Sequence, residues 1–339
     1  MSTLRSSAPI REITAAELLS DPTSWTRAAQ PWVARSLVAD WPLVTAATEG
    51  DAQFLRYLLD FYSGAKVSAF LGEPEIRGRF FYNADMTGFN FTQVQTQLNQ
   101  LADKLLSLRA LDSPPSLYMG STHLGHWLPD LEHHNMLPME LENPLASLWL
   151  GNQSMVAPHF DYPANIACCV AGKRIFTLFP PEQLPNLYIG PWDLTPAGQP
   201  ISLVDTRNPD LDTHPLFAIA MQSALTAELE PGDVIYVPSL WWHQVESVAH
   251  VNGLVNFWWT DQPAVLGSPV DALTHALMAI KSLPSAQRAA WRAYFDHYVF
   301  SDSGEHGSDF ASWPSDRTLT VTTDVAKKLR AELLNNLKR

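Results

Sequence analysis

Short apolar segments separated by turn residues fill the middle of the chain, between residues 148 and 259. Such closely spaced strands, rich in β-branched and aromatic residues, predict a β-sandwich or β-barrel. The predicted strands are Leu148–Leu150, Ala157–Asp161, Asn165–Val170, Ile175–Phe179, Val234–Val237, His243–Ser247 and Leu254–Trp258. The stretch from Pro180 to Ala227 is rich in Pro, Asp and Gly, and it predicts a long loop of the kind that often carries function.

The pattern before this β-rich segment is mixed. The predicted elements there are helices over 15–20, 51–62 and 91–108 and strands over 31–38, 67–71, 79–82 and 116–120. After the segment the spacing becomes helical again, with helices beginning near Ser268, Ser285 and Thr322. We therefore predict a domain over residues 1–262, with its β-rich core over 116–262, and a C-terminal helical region over 263–339.

The last predicted helix carries Val325, Leu329, Leu333 and Leu337 on one narrow seam. A narrow apolar seam is typical of a helix that packs against a partner helix. The partner can be the chain's own domain or a second copy, and the seam favours a homodimer.

Composition excludes several classes of function. The 22 Lys and Arg against 35 Asp and Glu give a net charge of −13, and the chain has no basic cluster beyond two short pairs, so nucleic acid is not an expected partner. Cys168 and Cys169 are adjacent and read as small core residues, which excludes a disulfide scaffold and favours a reducing cytoplasm. No signal-peptide pattern and no membrane-spanning stretch is evident.

The candidate chemistry lies in His159-Phe160-Asp161 and in His243. Residues i and i+2 of a strand point to the same side, so His159 and Asp161 can bind one ion together. Two imidazoles and one carboxylate form the facial triad of non-haem Fe(II) oxygenases, which leaves open positions on the metal. The alternative is a pair of structural histidines with Asp161 on the surface.

Further motifs accompany this triad. They are the G-K-R-I-F-T-L-F-P-P run at 172–181, P-G-D-V-I-Y-V-P at 231–238, W-W-H at 241–243, E-S at 246–247, N-F-W at 256–258 and Asn165. Together these residues resemble the JmjC, or cupin-8, branch of Fe(II)- and 2-oxoglutarate-dependent oxygenases. The resemblance is closest to the group that contains the asparaginyl hydroxylase acting on hypoxia-inducible factor.

The resemblance implies a fold and a set of ligands. The fold would be a double-stranded β-helix of the cupin or jelly-roll type, mainly β with flanking α-helices. Fe(II) would be held by His159, Asp161 and His243, with 2-oxoglutarate and O2 at the open positions.

The resemblance also implies residues that bind 2-oxoglutarate. Many relatives bind its far carboxylate through a Lys at the position of Arg174, and strand parity places Arg174 on one face with Phe176 and Leu178. Arg174 is therefore favoured over Lys173, although both remain candidates. Tyr118 resembles the family's hydroxyl donor, and the polar wall would include Asn165 and Asn256. Each of them could instead be an ordinary residue of the barrel interior.

The activity implied is hydroxylation of a C–H bond in a protein side chain or small molecule, with decarboxylation of 2-oxoglutarate to succinate. Alternatives are N-demethylation by the same step and a non-catalytic cupin that binds a peptide or small ligand. A metal-dependent isomerase or dioxygenase of the wider cupin group usually has another His or Glu ligand near the first pair, whereas Tyr162-Pro163-Ala164 follows it here.

Overall fold

The computed structural model describes residues 7–196, 198–301 and 321–338, and the chain divides into two units at Thr260 and Asp261. The strands are β1 (Ala8–Pro9), β2 (Arg11–Ile13), β3 (Trp32–Ala34), β4 (Val67–Gly72), β5 (Arg79–Phe80), β6 (Phe91–Thr96), β7 (Ser116–His123), β8 (Leu145–Gly151), β9 (Ser154–Phe160), β10 (Ala164–Ala171), β11 (Arg174–Phe179), β12 (Leu225–Leu229), β13 (Val234–Val237), β14 (Trp242–Ser247) and β15 (Asn252–Trp259). The helices are α1 (Ala15–Ser20), α2 (Pro22–Arg27), α3 (Pro42–Glu49), α4 (Asp51–Asp60), α5 (Leu98–Leu108), α6 (Leu124–Trp127), α7 (Leu131–His134), α8 (Phe217–Gln222), α9 (Pro269–Ile280), α10 (Ser285–Phe295) and α11 (Thr323–Leu337).

Two sheets form the first unit in the part of the chain that the structure describes. One has six strands in the order β1-β12-β11-β14-β9-β5, and the other has nine in the order β2-β3-β13-β10-β15-β8-β7-β4-β6. The run from β8 to β15 contributes four strands to each sheet, and these strands pair antiparallel within it. This arrangement confirms the predicted double-stranded β-helix with flanking helices.

Alternation along β10 shows how the sequence specifies the two faces of a sheet. Ile166 and Cys168 are fully buried in a core cluster with residues of α3, α4 and α5. Asn165 and Ala167 point the other way and line the space between the sheets. Cys168 and Cys169 are both free and fully buried, which confirms that they are small core residues. Burial raises the pKa of Cys169 to about 12.

Three local predictions were wrong. Residues 91–96 are a strand and not the start of a helix, because F-T-Q-V-Q-T alternates and β6 pairs with β4 along its whole length. The predicted loop up to Ala227 contains α8 and the start of β12, which obtains backbone partners from β11 and β1. The strand predicted over 31–38 is shorter, since Ser36 adopts a left-handed φ of 54°.

The described part of the second unit consists of helices that begin where the sequence predicted. The Ser268 hydroxyl accepts a hydrogen bond from the Val270 amide, and the Thr322 hydroxyl accepts one from Val325. Both residues are good N-caps because their oxygens satisfy free amides of the first turn. None of the helices that the structure describes is long and apolar enough to cross a membrane.

Candidate metal centre

The two histidines of the predicted triad lie opposite each other on neighbouring strands. His159 near the end of β9 pairs with His243 near the start of β14, and their ring centroids are 4.3 Å apart. Asp161 directly follows β9, and its carbonyl oxygen accepts a hydrogen bond from the Leu240 amide at 2.9 Å. The potential ligand atoms of the three side chains all lie within 4.8 Å of one another. The fold therefore brings together residues that are more than eighty positions apart in the chain.

Backbone contacts orient both imidazoles. Nδ1 of His159 lies 2.9 Å from the carbonyl oxygen of Ala157, and Nδ1 of His243 lies 3.0 Å from that of Trp241. A carbonyl can only accept, so each Nδ1 carries the proton and each Nε2 keeps a free lone pair. Burial, together with the neighbouring His159, lowers the pKa of His243 to about 4. His243 is therefore neutral near pH 7, as a metal ligand must be.

The donor set fits a divalent first-row metal ion. Two imidazole nitrogens and one carboxylate oxygen on one side of an ion leave the other side open to small molecules. Among the residues that the structure describes, this is the one group of three His, Cys, Asp or Glu side chains close enough to share an ion. No fourth such donor from the described part of the chain joins it, in contrast to the pattern expected for the wider cupin isomerases and dioxygenases.

A cavity of about 330 Å³ extends from the triad between the two sheets. Its wall is mainly aromatic and aliphatic, and the aromatic members are Phe70, Phe80, Phe91, Tyr118, Trp149, Phe176 and Trp258. Arg174 lies deeper, since it pairs with Ser247, four residues along β14 from His243. At about 3.3 Å per residue, the Cα atom of Ser247, beside Arg174, lies roughly 13 Å along β14 from the Cα atom of His243.

Arg174 is a buried cation to which no described residue supplies an anionic partner. It is 3% exposed, and its Nε atom is buried with no hydrogen-bond partner among the described residues. Burial lowers the pKa of Arg174, and the acidic groups that oppose this shift are the Tyr118 hydroxyl and the Cys169 thiol. Burial raises the pKa of both, so neither is an anion near pH 7. An unpaired buried charge is costly, so the site favours an anionic ligand.

The other predicted cofactor residues divide between the cavity and the outside. Tyr118, Asn165 and Asn256 lie on the cavity wall with Arg174. Lys173 does not line the cavity: its side chain is 37% exposed and forms an ion pair with Glu228. Of the two cations that the sequence left as candidates, Arg174 therefore lies on the cavity wall and Lys173 lies outside the cavity.

The sequence predicts that the segment Arg79–Phe91 helps to shape the substrate cleft, and Phe80 and Phe91 do line the cavity, whereas Phe70 was not found by sequence reasoning. Phe70, Phe80 and Phe91 come from β4, β5 and β6, outside the eight central strands. Phe91 contacts both of the others, at ring-centroid distances of 5.3 Å and 5.4 Å. The alternation in F-T-Q-V-Q-T is the signal that could have placed Phe91 on a strand.

Comparisons with known proteins agree with this geometry. The family model for a cupin-like domain matches residues 21–265. HSPB1-associated protein 1 from Homo sapiens is 36% identical over 152 residues, which cover 43% of this chain and 30% of that protein. Lysine-specific demethylase JMJ31 from Arabidopsis thaliana is 30% identical over 114 residues, covering 33% of this chain and 20% of that protein.

A third relative has another named role. The tRNA wybutosine-synthesizing protein 5 from Mus musculus is 31% identical over 144 residues, which cover 38% of this chain and 43% of that protein. The chain thus spans less than half the length of each of these three relatives. The similarity is to the domain that they share with this chain.

Proposed function

The chain belongs to the family of cupin-like JmjC domains, and we propose that it is an Fe(II)- and 2-oxoglutarate-dependent oxygenase that hydroxylates a C–H bond. The observation that carries this proposal is the pairing of two sites in one cavity: a facial triad, and a buried Arg174 that lacks an anion. A dicarboxylate with a metal-chelating end satisfies both sites at once.

His159, Asp161 and His243 would hold the ferrous ion through two Nε2 atoms and one carboxylate oxygen. When bound, iron and 2-oxoglutarate supply the oxidising power of O2, and the keto acid leaves as succinate and carbon dioxide. The chain contributes the geometry of the ligands, because the carbonyl oxygens of Ala157 and Trp241 hold the two rings in place.

Arg174 and Tyr118 would bind the far carboxylate of 2-oxoglutarate. A guanidinium can donate two parallel hydrogen bonds to a carboxylate, and a neutral phenol adds a third donor. The Tyr118 hydroxyl stays protonated because burial raises its pKa. The aromatic wall around it excludes water from the reacting centre, which strengthens these polar contacts.

The charge of the cavity favours a neutral target group. Asp161 is the one carboxylate among the lining residues, and it is a proposed metal ligand. No other carboxylate of the described lining then remains to bind a methylated ammonium group. N-demethylation is the second candidate, because one relative is named as a lysine-specific demethylase and hydroxylation of an N-methyl carbon releases formaldehyde.

A turnover assay tests the proposed function. The protein is purified without oxygen and loaded with Fe(II) and 2-oxoglutarate, and succinate is measured after air is admitted. We expect His159→Ala and Asp161→Ala to reduce succinate to background because each removes one of three metal ligands. His250→Ala is the matched control, since His250 is exposed on the turn between β14 and β15.

Three results would contradict the proposal. Wild-type protein that binds 2-oxoglutarate but forms no succinate would indicate a non-catalytic binding module. Equal succinate from wild type and the triad variants would remove the metal site from the reaction. Formaldehyde release from a methylated peptide, without stable hydroxylation of neutral peptides, would identify the demethylase instead.

A further inference from the structure

Three side chains on the cavity wall form a hydrogen-bonded chain. Nε1 of Trp149 on β8 donates to Oδ1 of Asn256 on β15 at 2.7 Å. Nδ2 of Asn256 donates to Oδ1 of Asn165 on β10 at 3.2 Å. The three strands are neighbours in one sheet, and all three residues line the cavity that contains the triad.

The indole of Trp149 determines the direction of this chain. An indole N–H can only donate, so Asn256 must turn its oxygen toward Trp149 and its nitrogen toward Asn165. Asn165 must in turn direct its oxygen at Asn256. The amide nitrogen of Asn165 then has no partner among the described residues, and Asn165 faces the cavity.

A second free donor lies beside Asn165. Trp258 is its direct neighbour across β10 and β15, and Trp258 also lines the cavity. The indole nitrogen of Trp258 is buried and has no hydrogen-bond partner in the described part of the chain. This wall therefore offers two donors and no free side-chain acceptor from the two residues, which suits a ligand that presents oxygen atoms.

We propose that Trp149 is a positioning residue. Acting through Asn256, it holds the amide nitrogen of Asn165 toward the cavity, so that the wall binds a carboxylate oxygen of the ligand. The inference rests on the proposed function, which supplies 2-oxoglutarate as that ligand.

Removal of the indole N–H would remove the preferred direction of the hydrogen-bonded chain. In Trp149→Phe the buried oxygen of Asn256 loses its donor, and an unsatisfied buried acceptor is costly. Rotation of both amides lets Asn165 donate its nitrogen to Asn256, but it replaces the unsatisfied oxygen of Asn256 by an unsatisfied nitrogen, so the two directions become similar in free energy. Rotation turns the Asn165 oxygen toward the cavity, where it meets the ligand carboxylate with like partial charge.

Binding measurements on Mn(II)-loaded protein test this without turnover. Calorimetry with 2-oxoglutarate is expected to show a Kd about twofold weaker for Trp149→Phe than for wild type, because only about half of the ligand-free molecules then direct the Asn165 nitrogen at the cavity. Trp127→Phe is the matched control, because its indole donates to the Lys66 carbonyl at 2.8 Å and Trp127 does not line the cavity. Its Kd should equal that of wild type.

A double-mutant cycle separates positioning from packing. In Asn165→Ser the hydroxyl can rotate to donate whichever way Asn256 is turned, so adding Trp149→Phe should leave the Kd of Asn165→Ser unchanged. If Trp149→Phe weakened 2-oxoglutarate binding equally in the wild-type and the Asn165→Ser proteins, Trp149 would act only through its bulk. That result would overturn the inference. An unchanged Kd in Trp149→Phe alone would overturn it as well.

Two further outcomes are distinct from these. If Trp149→Phe does not fold, benzothienylalanine at position 149 keeps the ring size, replaces the N–H by sulfur and should weaken binding equally. If wild-type Mn(II) protein does not bind 2-oxoglutarate, the proposed function fails together with this inference. If wild-type protein binds 2-oxoglutarate and only the Trp149 variants contradict the inference, the proposed function stands.

Discussion

Arg174 and Lys173 are adjacent in the chain but lie in opposite environments. The Arg174 side chain is directed between the sheets, where no described carboxylate forms an ion pair with it. The Lys173 side chain is directed outward and pairs with Glu228 on β12. Successive side chains of a β-strand point to opposite faces. A shift of β11 by one residue would therefore exchange which of the two cations faces the ligand.

Substitution of the two cations by the same residue tests this separation. We expect Arg174→Met to raise the KM for 2-oxoglutarate about 100-fold, since a charged hydrogen-bonding group to the carboxylate is lost. Arg174→Met should also stabilise the ligand-free protein by about 1–3 kcal/mol, because an unpaired buried charge is removed. Lys173→Met is expected to change the KM less than twofold. Initial rates of succinate formation and chemical denaturation measure both effects.

A comparable rise of KM in Lys173→Met would show that the register assigned to β11 is wrong for the liganded state. A loss of stability in ligand-free Arg174→Met would show that the guanidinium already has a partner.

At the scale of elements, the turn between β10 and β11 sets that register. Gly172 has a φ of +71°, and a Cβ atom there would lie 2.4 Å from the Val251 carbonyl oxygen and 2.5 Å from Asn252 Oδ1. The Asn252 side chain also accepts a hydrogen bond from the Lys173 amide at 3.2 Å. The turn therefore leaves no room for a side chain at the point where the chain enters β11.

Gly172→Ala should destabilise the protein by about 2–4 kcal/mol, because a left-handed φ and a steric clash act together. Gly64→Ala is the matched control: Gly64 has a φ of +83° but no atom within 4 Å of the added Cβ. Its cost should be only about 1 kcal/mol. Denaturant unfolding of both variants measures the difference, and equal costs would exclude the clash.

At the scale of the whole molecule, the described helices of the second unit expose many apolar side chains. Leu329, Leu333 and Leu337 on α11 are 53%, 45% and 52% exposed. In α9, α10 and α11, Ala326 is the one buried residue that the structure describes. We propose that a second copy of the chain covers this seam, since burial of each leucine contributes about 1.5–3 kcal/mol.

Light scattering after size-exclusion chromatography tests the homodimer. Wild type should have twice the chain mass of 37.8 kDa, and Leu333→Asp should shift it toward the monomer. Ala331→Asp adds the same charge on the opposite side of α11 and should leave the dimer intact. A monomeric wild type, or equal shifts in both variants, would exclude the seam as the interface.

Local patterns were sufficient for most central strands. Alternation and β-branched residues predicted β10, β11, β13, β14 and β15 closely, and cap residues predicted the starts of α9 and α11. Prediction failed where a strand depends on distant partners. β12 is short, and it is a strand because β1 and β11 supply its hydrogen bonds from far away in the chain.

The sequence alone determined which side chains alternate on each strand and which ligand types are present, because these depend on neighbouring residues. Only the tertiary structure decided that His243 faces His159, that Arg174 has no anionic partner among the described residues, and that Trp149 on β8 is hydrogen-bonded in a chain with amides on two other strands. The physical reason is that metal geometry, desolvation and hydrogen-bond direction depend on distances between strands. Those distances are set when strands that are far apart in the sequence pair with one another, and no local sequence pattern specifies them.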